Sequence, residues 1–224
     1  MSNILPDNMA TRAAIIKACR WMNSSGINQG TSGNISVRTG DAGEDMLITP
    51  SGVPYDDLAP EMIVRMSLSS DPELNAPLKP SSEWRFHQTL LRNRIDMTAV
   101  VHAHPAYCSA LAVNRESIPA CHYMIAAFGG HDVPLTKYHL FGSQALANDV
   151  ANAMRDRHGC LMSNHGSVVV GESLEKALWR MEELENLAKV YTLSRQIGTP
   201  VILGKDEMDA VIAAFANYGP VKAP

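Results

Sequence analysis

The chain has 224 residues, 46% of them hydrophobic, and 19 Lys and Arg against 23 Asp and Glu leave a formal net charge of −4. That length suits one domain over residues 1–224 around a single core, and the mild acidity without a basic stripe speaks against a nucleic-acid partner. No apolar run approaches a membrane span, residues 1–8 lack the marks of a signal peptide, and four scattered cysteines without a CxxC pair suit a reducing cytoplasm.

Ile15, Cys19 and Met22 recur at helical spacing within residues 7–25, and Ser24-Ser25-Gly26 closes that helix with a glycine C-cap. The small polar run Asn28-Gln29-Gly30-Thr31-Ser32-Gly33-Asn34 follows. It leads into a short alternating strand at 35–38. An acidic turn and a second strand at 46–48 complete a hairpin that runs into Thr49-Pro50-Ser51-Gly52. Both glycine-rich turns can offer backbone N–H groups and hydroxyls to an anion, and both also read as ordinary turn chemistry. The first is neither a dinucleotide fingerprint nor a P-loop, because GxGxxG and a following Gly-Lys-Ser/Thr are missing. A strand is expected over 62–68 and a proline-rich polar loop over 69–79. The serines of Pro80-Ser81-Ser82-Glu83 then N-cap a helix through about residue 92. Glu83 falls in its first turn, where a carboxylate stabilises the positive helix end.

An apolar run over 98–104 delivers His102 and His104, and Pro105 stops it. Alternate residues of a strand share a face, so the two imidazoles point the same way, about 7 Å apart, and can close on one metal ion. Two partly buried histidines at a strand end fit the same pattern. A helix is expected over 106–113 and another over 142–157, with His122-Tyr123-Met124-Ile125 between them strand-like and Tyr123 a half-buried strand aromatic. A buried strand at 160–162 ends at Ser163-Asn164-His165-Gly166, and 168–170 returns antiparallel. The longest helix, 173–197, carries the apolar stripe of Leu174, Ala177, Leu178, Met181, Leu184, Ala188 and Tyr191, with Arg180 and Glu185 on its solvated face. A last helix over 205–216 precedes Tyr218. Strands of mixed spacing interleaved with helices predict an α/β or α+β fold, with helices on both faces of a mixed sheet.

His102, His104 and His165 all lie at strand ends, and three imidazoles with an open position are the ligand set of a catalytic zinc. Glu83 becomes a displaceable fourth ligand or a general base if its helix start packs over those strand ends. Ser81, Ser82 and the glycine turns can hold a phosphate. A Lewis acid, a base and an anion cradle suit proton abstraction beside a carbonyl.

Residues 28–38 with 48–55, Pro80-Ser81-Ser82-Glu83-Trp84-Arg85-Phe86-His87, the His102-Ala103-His104 pair and Asn164-His165-Gly166 resemble, as an ordered set, the class II aldolase/adducin family. Residues 118–127 are nearest its L-fuculose-1-phosphate aldolase branch. The resemblance implies a three-layer α/β/α sandwich with a mixed, mostly antiparallel central sheet. It implies Zn2+, one per subunit, on His102, His104 and His165, with Glu83 as both displaceable ligand and acid/base. Gly33, Asn34, Ser51, Gly52, Ser81 and Ser82 match its phosphate-binding positions. Tyr123 matches a tyrosine supplied by a neighbouring subunit, and Tyr218 a second aromatic on the tail. The implied assembly is a cytoplasmic homotetramer with interfacial active sites. The implied reaction is reversible cleavage of a ketose 1-phosphate, such as L-fuculose 1-phosphate, to dihydroxyacetone phosphate and an aldehyde such as L-lactaldehyde through a metal-stabilised enediolate. An aldolase for 5-deoxy- or 5-methylthio-pentulose 1-phosphates is the alternative. A 4-epimerase, decarboxylase or dehydratase of the same family stands further off, and a non-catalytic adducin-like interaction domain furthest, since all three histidines and Glu83 remain. Pro105 and the short tail after Tyr218 depart from the family on the acceptor side.

Overall fold

Strand alternation sorts side chains onto two faces of a sheet, and here both faces are apolar, so both must be covered. The computed structural model describes residues 4–73 and 75–215. In chain order it contains α1 (Met9–Ser24), β1 (Asn34–Thr39), β2 (Asp45–Ile48), β3 (Val64–Ser67), α2 (Trp84–Asn93), β4 (Ala99–Ala103) and α3 (Ala106–Val113). There follow β5 (Leu135–Thr136), α4 (Gln144–Ala153), β6 (Gly159–Met162), β7 (Gly166–Gly171), α5 (Leu174–Ile197) and α6 (Lys205–Phe215). The strands form one sheet in the order β3-β2-β1-β4-β7-β6-β5. Neighbouring strands are antiparallel except β5 and β6, which are parallel.

Ile35, Val37, Leu47, Ala99, Val101, Leu161 and Val169 turn to one face, where they pack with Ile15 and Met22 of α1, Leu111 of α3 and Met181 and Leu184 of α5. Met46, Ile48, Val100, Cys160, Met162 and Val168 turn to the other, against Trp84, Phe86 and Leu90 of α2 and Leu146 and Val150 of α4. Each such large side chain contributes roughly 1.5–3 kcal/mol by leaving water. The result is the expected helix–sheet–helix sandwich. Gly171 lets α5 close onto β7, because a Cβ there would stand 2.4 Å from the Ala177 nitrogen. All four cysteines are free.

Several elements differ from their sequence expectation. Residues 123–128 form a 3-10 helix rather than a strand, because the His122 Nδ1 accepts the Met124 N–H and Gly129 ends the turn in a left-handed conformation (φ 82). Tyr123 is therefore exposed instead of half-buried. Pro60–Met62 form a 3-10 turn, which delays β3 to Val64. Gly142 is left-handed (φ 68), so α4 starts only after Ser143, whose side chain accepts the Leu146 N–H. The serine cap of α2 is displaced as well. Ser81 donates its N–H to the Thr49 carbonyl, which holds it extended beside the end of β2, and its hydroxyl accepts the Glu83 N–H at 3.3 Å. Glu83 itself takes the N-cap position without capping, which turns its carboxylate inward. Arg180 is buried rather than solvated, with Nη1 donating to the Val170 carbonyl and Glu172 carboxylate and Nη2 to the same carboxylate.

Candidate active site

β1 and β4 pair with Asn34 opposite His102, and β4 and β7 with His102 opposite Val168. His102 is thus held in mid-sheet, fully buried on the face that α2 covers. Its Nδ1 lies 2.8 Å from the Ser167 carbonyl. A carbonyl only accepts, so Nδ1 carries a proton and Nε2 is the nitrogen turned to the site. β4 ends at Ala103, and His104 follows it outside the strand with its ring on the same side. Its backbone N–H donates to the buried Asn28 Oδ1 at 3.3 Å, tying the first glycine-rich turn to this histidine. Gly166 gives the ring room, since a Cβ there would stand 2.7 Å from His104 Cδ2. His165 leaves the β6–β7 turn beside Asn164, a left-handed residue (φ 55).

The three rings meet with centroids 4.8–4.9 Å apart. One nitrogen from each lies within 4.8 Å of the others. Burial pulls His104 down to about 3 and His165 down to about 4 in pKa, so both are neutral ligands at ordinary pH. His104 Nε2 stands 3.0 Å from His102 Nε2. Three imidazoles converging in this way, with one ligand atom from each within reach of a shared ion, are a donor set that fits a divalent metal with an open position.

Glu83 completes the cluster. Its Oε2 is 3.1 Å from His102 Nε2 and accepts from Asn34 Nδ2 at 3.0 Å. Its Oε1, 3.3 Å from His165 Nε2, is buried without a hydrogen bond. Burial alone would raise this carboxyl, but His102, His165 and Asn34 outweigh it and hold Glu83 well below the usual carboxylate range. Asn34 in turn meets His87 Nε2 through Oδ1 at 2.5 Å, and His87 Nδ1 lies 2.8 Å from the Ser36 hydroxyl. Sequence reasoning passed over Asn28, Ser36 and His87. His87 had a legible signal, since it stands one helical turn after Glu83 and on the same face.

A cavity of about 450 Å3 opens over the cluster. It is lined by every expected anion-binding position, Gly33, Asn34, Ser51, Gly52, Ser81 and Ser82, together with Glu83, His104 and His165. The backbone N–H groups of Ser51 and Ser81 are taken by the Lys79 and Thr49 carbonyls, so hydroxyls carry more of this cradle than the turns alone implied. Gly33 is held by close approach, because a Cβ there would stand 2.7 Å from the His102 carbonyl. Tyr138 and Phe141, both exposed, also line it. Pro105 is buried at the start of α3 and is not among the residues lining this cavity. Tyr123 lines a separate surface groove with α5 and α6 and does not reach the cluster of its own chain. Tyr218 lies outside the described residues.

Residues 13–192 match the family described as Class II Aldolase and Adducin N-terminal domain. The chain belongs to that family. A 5-methylthioribulose-1-phosphate/5-deoxyribulose-1-phosphate aldolase of Rhodospirillum rubrum is 43% identical over 211 residues, 94% of this chain and 93% of the relative. An L-fuculose phosphate aldolase of Escherichia coli is 43% identical over 206 residues, 92% of this chain and 94% of the relative. The solved structure of an L-fuculose 1-phosphate aldolase, 34% identical, superposes with a TM-score of 0.88 over 93% of this chain and 97% of that one. The protein is a class II aldolase, with the sandwich fold of that family and a histidine cluster able to hold the metal on which such aldolases depend. No helix among the described residues is long and apolar enough to cross a membrane.

Proposed function

We propose that the protein is a zinc-dependent aldolase that cleaves a ketose 1-phosphate reversibly to dihydroxyacetone phosphate and a short aldehyde, with L-fuculose 1-phosphate and L-lactaldehyde as the leading pair. The observation that carries this reading is Glu83. A buried, ionised carboxylate with one unpartnered oxygen stands beside three converging imidazoles at the floor of a hydroxyl-lined cavity. His102, His104 and His165, with Glu83 until substrate arrives, would hold one Zn2+ per chain, and the ion would supply Lewis-acid stabilisation of charge developing on the donor oxygens.

The remaining steps belong to the chain's own groups. Ser51, Gly52, Ser81 and Ser82, with Gly33 shaping the loop and the second Nδ2 hydrogen of Asn34, hold the phosphate and place the donor carbon over Glu83. Glu83 takes the proton from the carbon next to the carbonyl. As that carbon bonds to the aldehyde, the Tyr123 hydroxyl of a neighbouring subunit donates a proton to the aldehyde oxygen. Cleavage runs these transfers in reverse. Tyr123 lines a groove apart from its own cluster, which supports a site completed by a neighbouring subunit, and the assembly proposed is a cytoplasmic homotetramer with Tyr218 as a second catalytic aromatic.

A second acceptor class has its own support. The methylthioribulose-type relative matches as well as the fuculose-type one, and the aromatic wall of Tyr138 and Phe141 suits an apolar tail such as that of 5-deoxy- or 5-methylthio-pentulose 1-phosphates. A panel of ketose 1-phosphates and 5-phosphates, read by release of dihydroxyacetone phosphate, separates the two. Epimerisation or decarboxylation with no release from any of them would overturn the aldolase reading. Glu83→Gln is expected to abolish exchange of a dihydroxyacetone phosphate carbon-bound proton with solvent while bound metal stays near one per chain. Unchanged exchange would remove Glu83 from the base role.

A further inference from the structure

The two oxygens of Glu83 are not equivalent, and a buried chain of side chains makes them so. Asn34, Ser36 and His87 are 4%, 0% and 0% exposed, so none of their polar atoms has bulk water as an alternative partner. The direction of every bond follows from the carboxylate. A carboxylate only accepts, so Asn34 must turn Nδ2 toward Oε2. Its Oδ1 then faces His87 and can only accept, so His87 Nε2 carries the ring proton. The other nitrogen of that neutral ring can only accept, so the Ser36 hydroxyl donates to Nδ1. Phe86 stacks on the His87 ring at 4.6 Å between centroids, which fixes its plane. The mixed origin of these residues adds stiffness, since Asn34 and Ser36 are alternate residues of β1 and His87 belongs to α2.

We propose that Ser36, His87 and Asn34 form a positioning relay that holds Glu83 by Oε2 and leaves Oε1 as the oxygen that takes the substrate proton. An inverted Asn34 amide would set its carbonyl oxygen against Oε2, and the bond from His87 Nε2–H to Oδ1 reinforces the carboxylate's own preference against that inversion. Burial pushes His87 down to about 3 in pKa, so the ring stays neutral and the sense of the relay is the same at any working pH. Oε1 is the buried Glu83 atom without a hydrogen bond, as a proton acceptor in waiting must be. None of the three relay residues delivers a proton to substrate; they act through the carboxylate.

The relay rests on the reading of Glu83 as the base, and its test keeps the two apart. Metal-loaded protein is given dihydroxyacetone phosphate in deuterated water, and proton exchange is followed with its kcat and KM. His87→Leu keeps the volume but neither nitrogen, and is expected to lower kcat for exchange about 10–100-fold with KM and bound metal unchanged. His87→Gln restores an N–H near the lost Nε2 and is expected to recover most of that loss. Ser36→Ala removes only the outer bond and is expected to cost about 2–10-fold. Wild-type exchange rates in Ser36→Ala, or a His87→Gln protein as slow as His87→Leu, would show that these residues merely pack, and would overturn the relay while leaving Glu83 as base. If His87→Leu fails to fold, Ser36→Ala and His87→Gln decide the matter alone. Absence of exchange in the unsubstituted, metal-loaded protein would overturn the base and the relay together.

Discussion

Asn164 holds its backbone in the left-handed region (φ 55), and it does so one residue before a proposed metal ligand. That conformation costs a side-chain-bearing residue about 1–2 kcal/mol, least for asparagine and nothing for glycine. The Arg115 guanidinium, donating to Asn164 Oδ1 at 3.3 Å, and the Asn164 N–H, donating to the Ala112 carbonyl at 3.0 Å, hold the turn in place. Asn164→Gly is therefore expected to keep bound metal and to unfold within about 2 °C of the parent, whereas Asn164→Val should lose roughly 2–6 °C in Tm. Equal melting of the two variants would mean that the turn relaxes and stores no strain. The three histidines of the cluster were legible one by one. Period-two alternation put His102 and His104 on one side, and the structure agrees although His104 stands just past the strand. For His87 only the spacing from Glu83 was legible; its partner was not, because the pairing of β1 with β4 is what brings Asn34 beside His102 and under α2. Local pattern carries no information about which amide a helix will cover.

Glu185 shows the same limit for elements. On α5 it falls among charged residues at helical spacing, and periodicity reads such a residue as solvated. In the fold its carboxylate accepts the N–H groups of Tyr107 and Cys108, each at 2.9 Å, and so caps the first turn of α3, whose own N-cap position is a proline without a side-chain acceptor. A negative group there satisfies two orphan donors and faces the positive helix end. Glu185→Ala is expected to cost about 1–2 kcal/mol in denaturant unfolding with bound metal unchanged. A loss below a few tenths of a kcal/mol would mean that water replaces the cap. The 3-10 helix at Tyr123–Phe128 failed for a related reason. Tyr, Met and Ile favour strands, but a histidine cap on one side and a left-handed glycine on the other outweigh that preference. α2 started later than expected because its serine was already engaged with the end of β2. Long amphipathic helices such as α5 survived with their boundaries, since their pattern repeats over many turns.

At the scale of the whole molecule, the sheet order β3-β2-β1-β4-β7-β6-β5 is what converts separated segments into one site, and nothing local in the chain encodes the β1–β4 and β4–β7 pairings. The resemblance to a family supplied the three-layer sandwich and its mostly antiparallel sheet, while the strand order is visible only in the structure. Layering both faces of the sheet has an energetic consequence, because it buries imidazoles that the unfolded chain exposes. His87 is fully buried and neutral, with its pKa pushed down to about 3, while in the unfolded chain an imidazole takes up a proton near 6.5. Between those values the unfolded state binds more protons than the folded one, so stability rises with pH and falls as pH drops below 6.5. His104 and His165 act in the same sense, and His102, whose pKa Glu83 raises against the effect of burial, acts in the opposite one. Comparing the metal-free protein with its metal-free His87→Gln variant removes these shared contributions, because they act alike in both. Urea unfolding at steps from pH 7 to pH 4 is expected to show the parent losing about 1.4 kcal/mol per pH unit more than the variant below pH 6.5. The two should run parallel above it. Parallel lines across the whole range would mean that His87 takes up its proton inside the folded chain, which its hydrogen bonds to Asn34 and Ser36 do not permit.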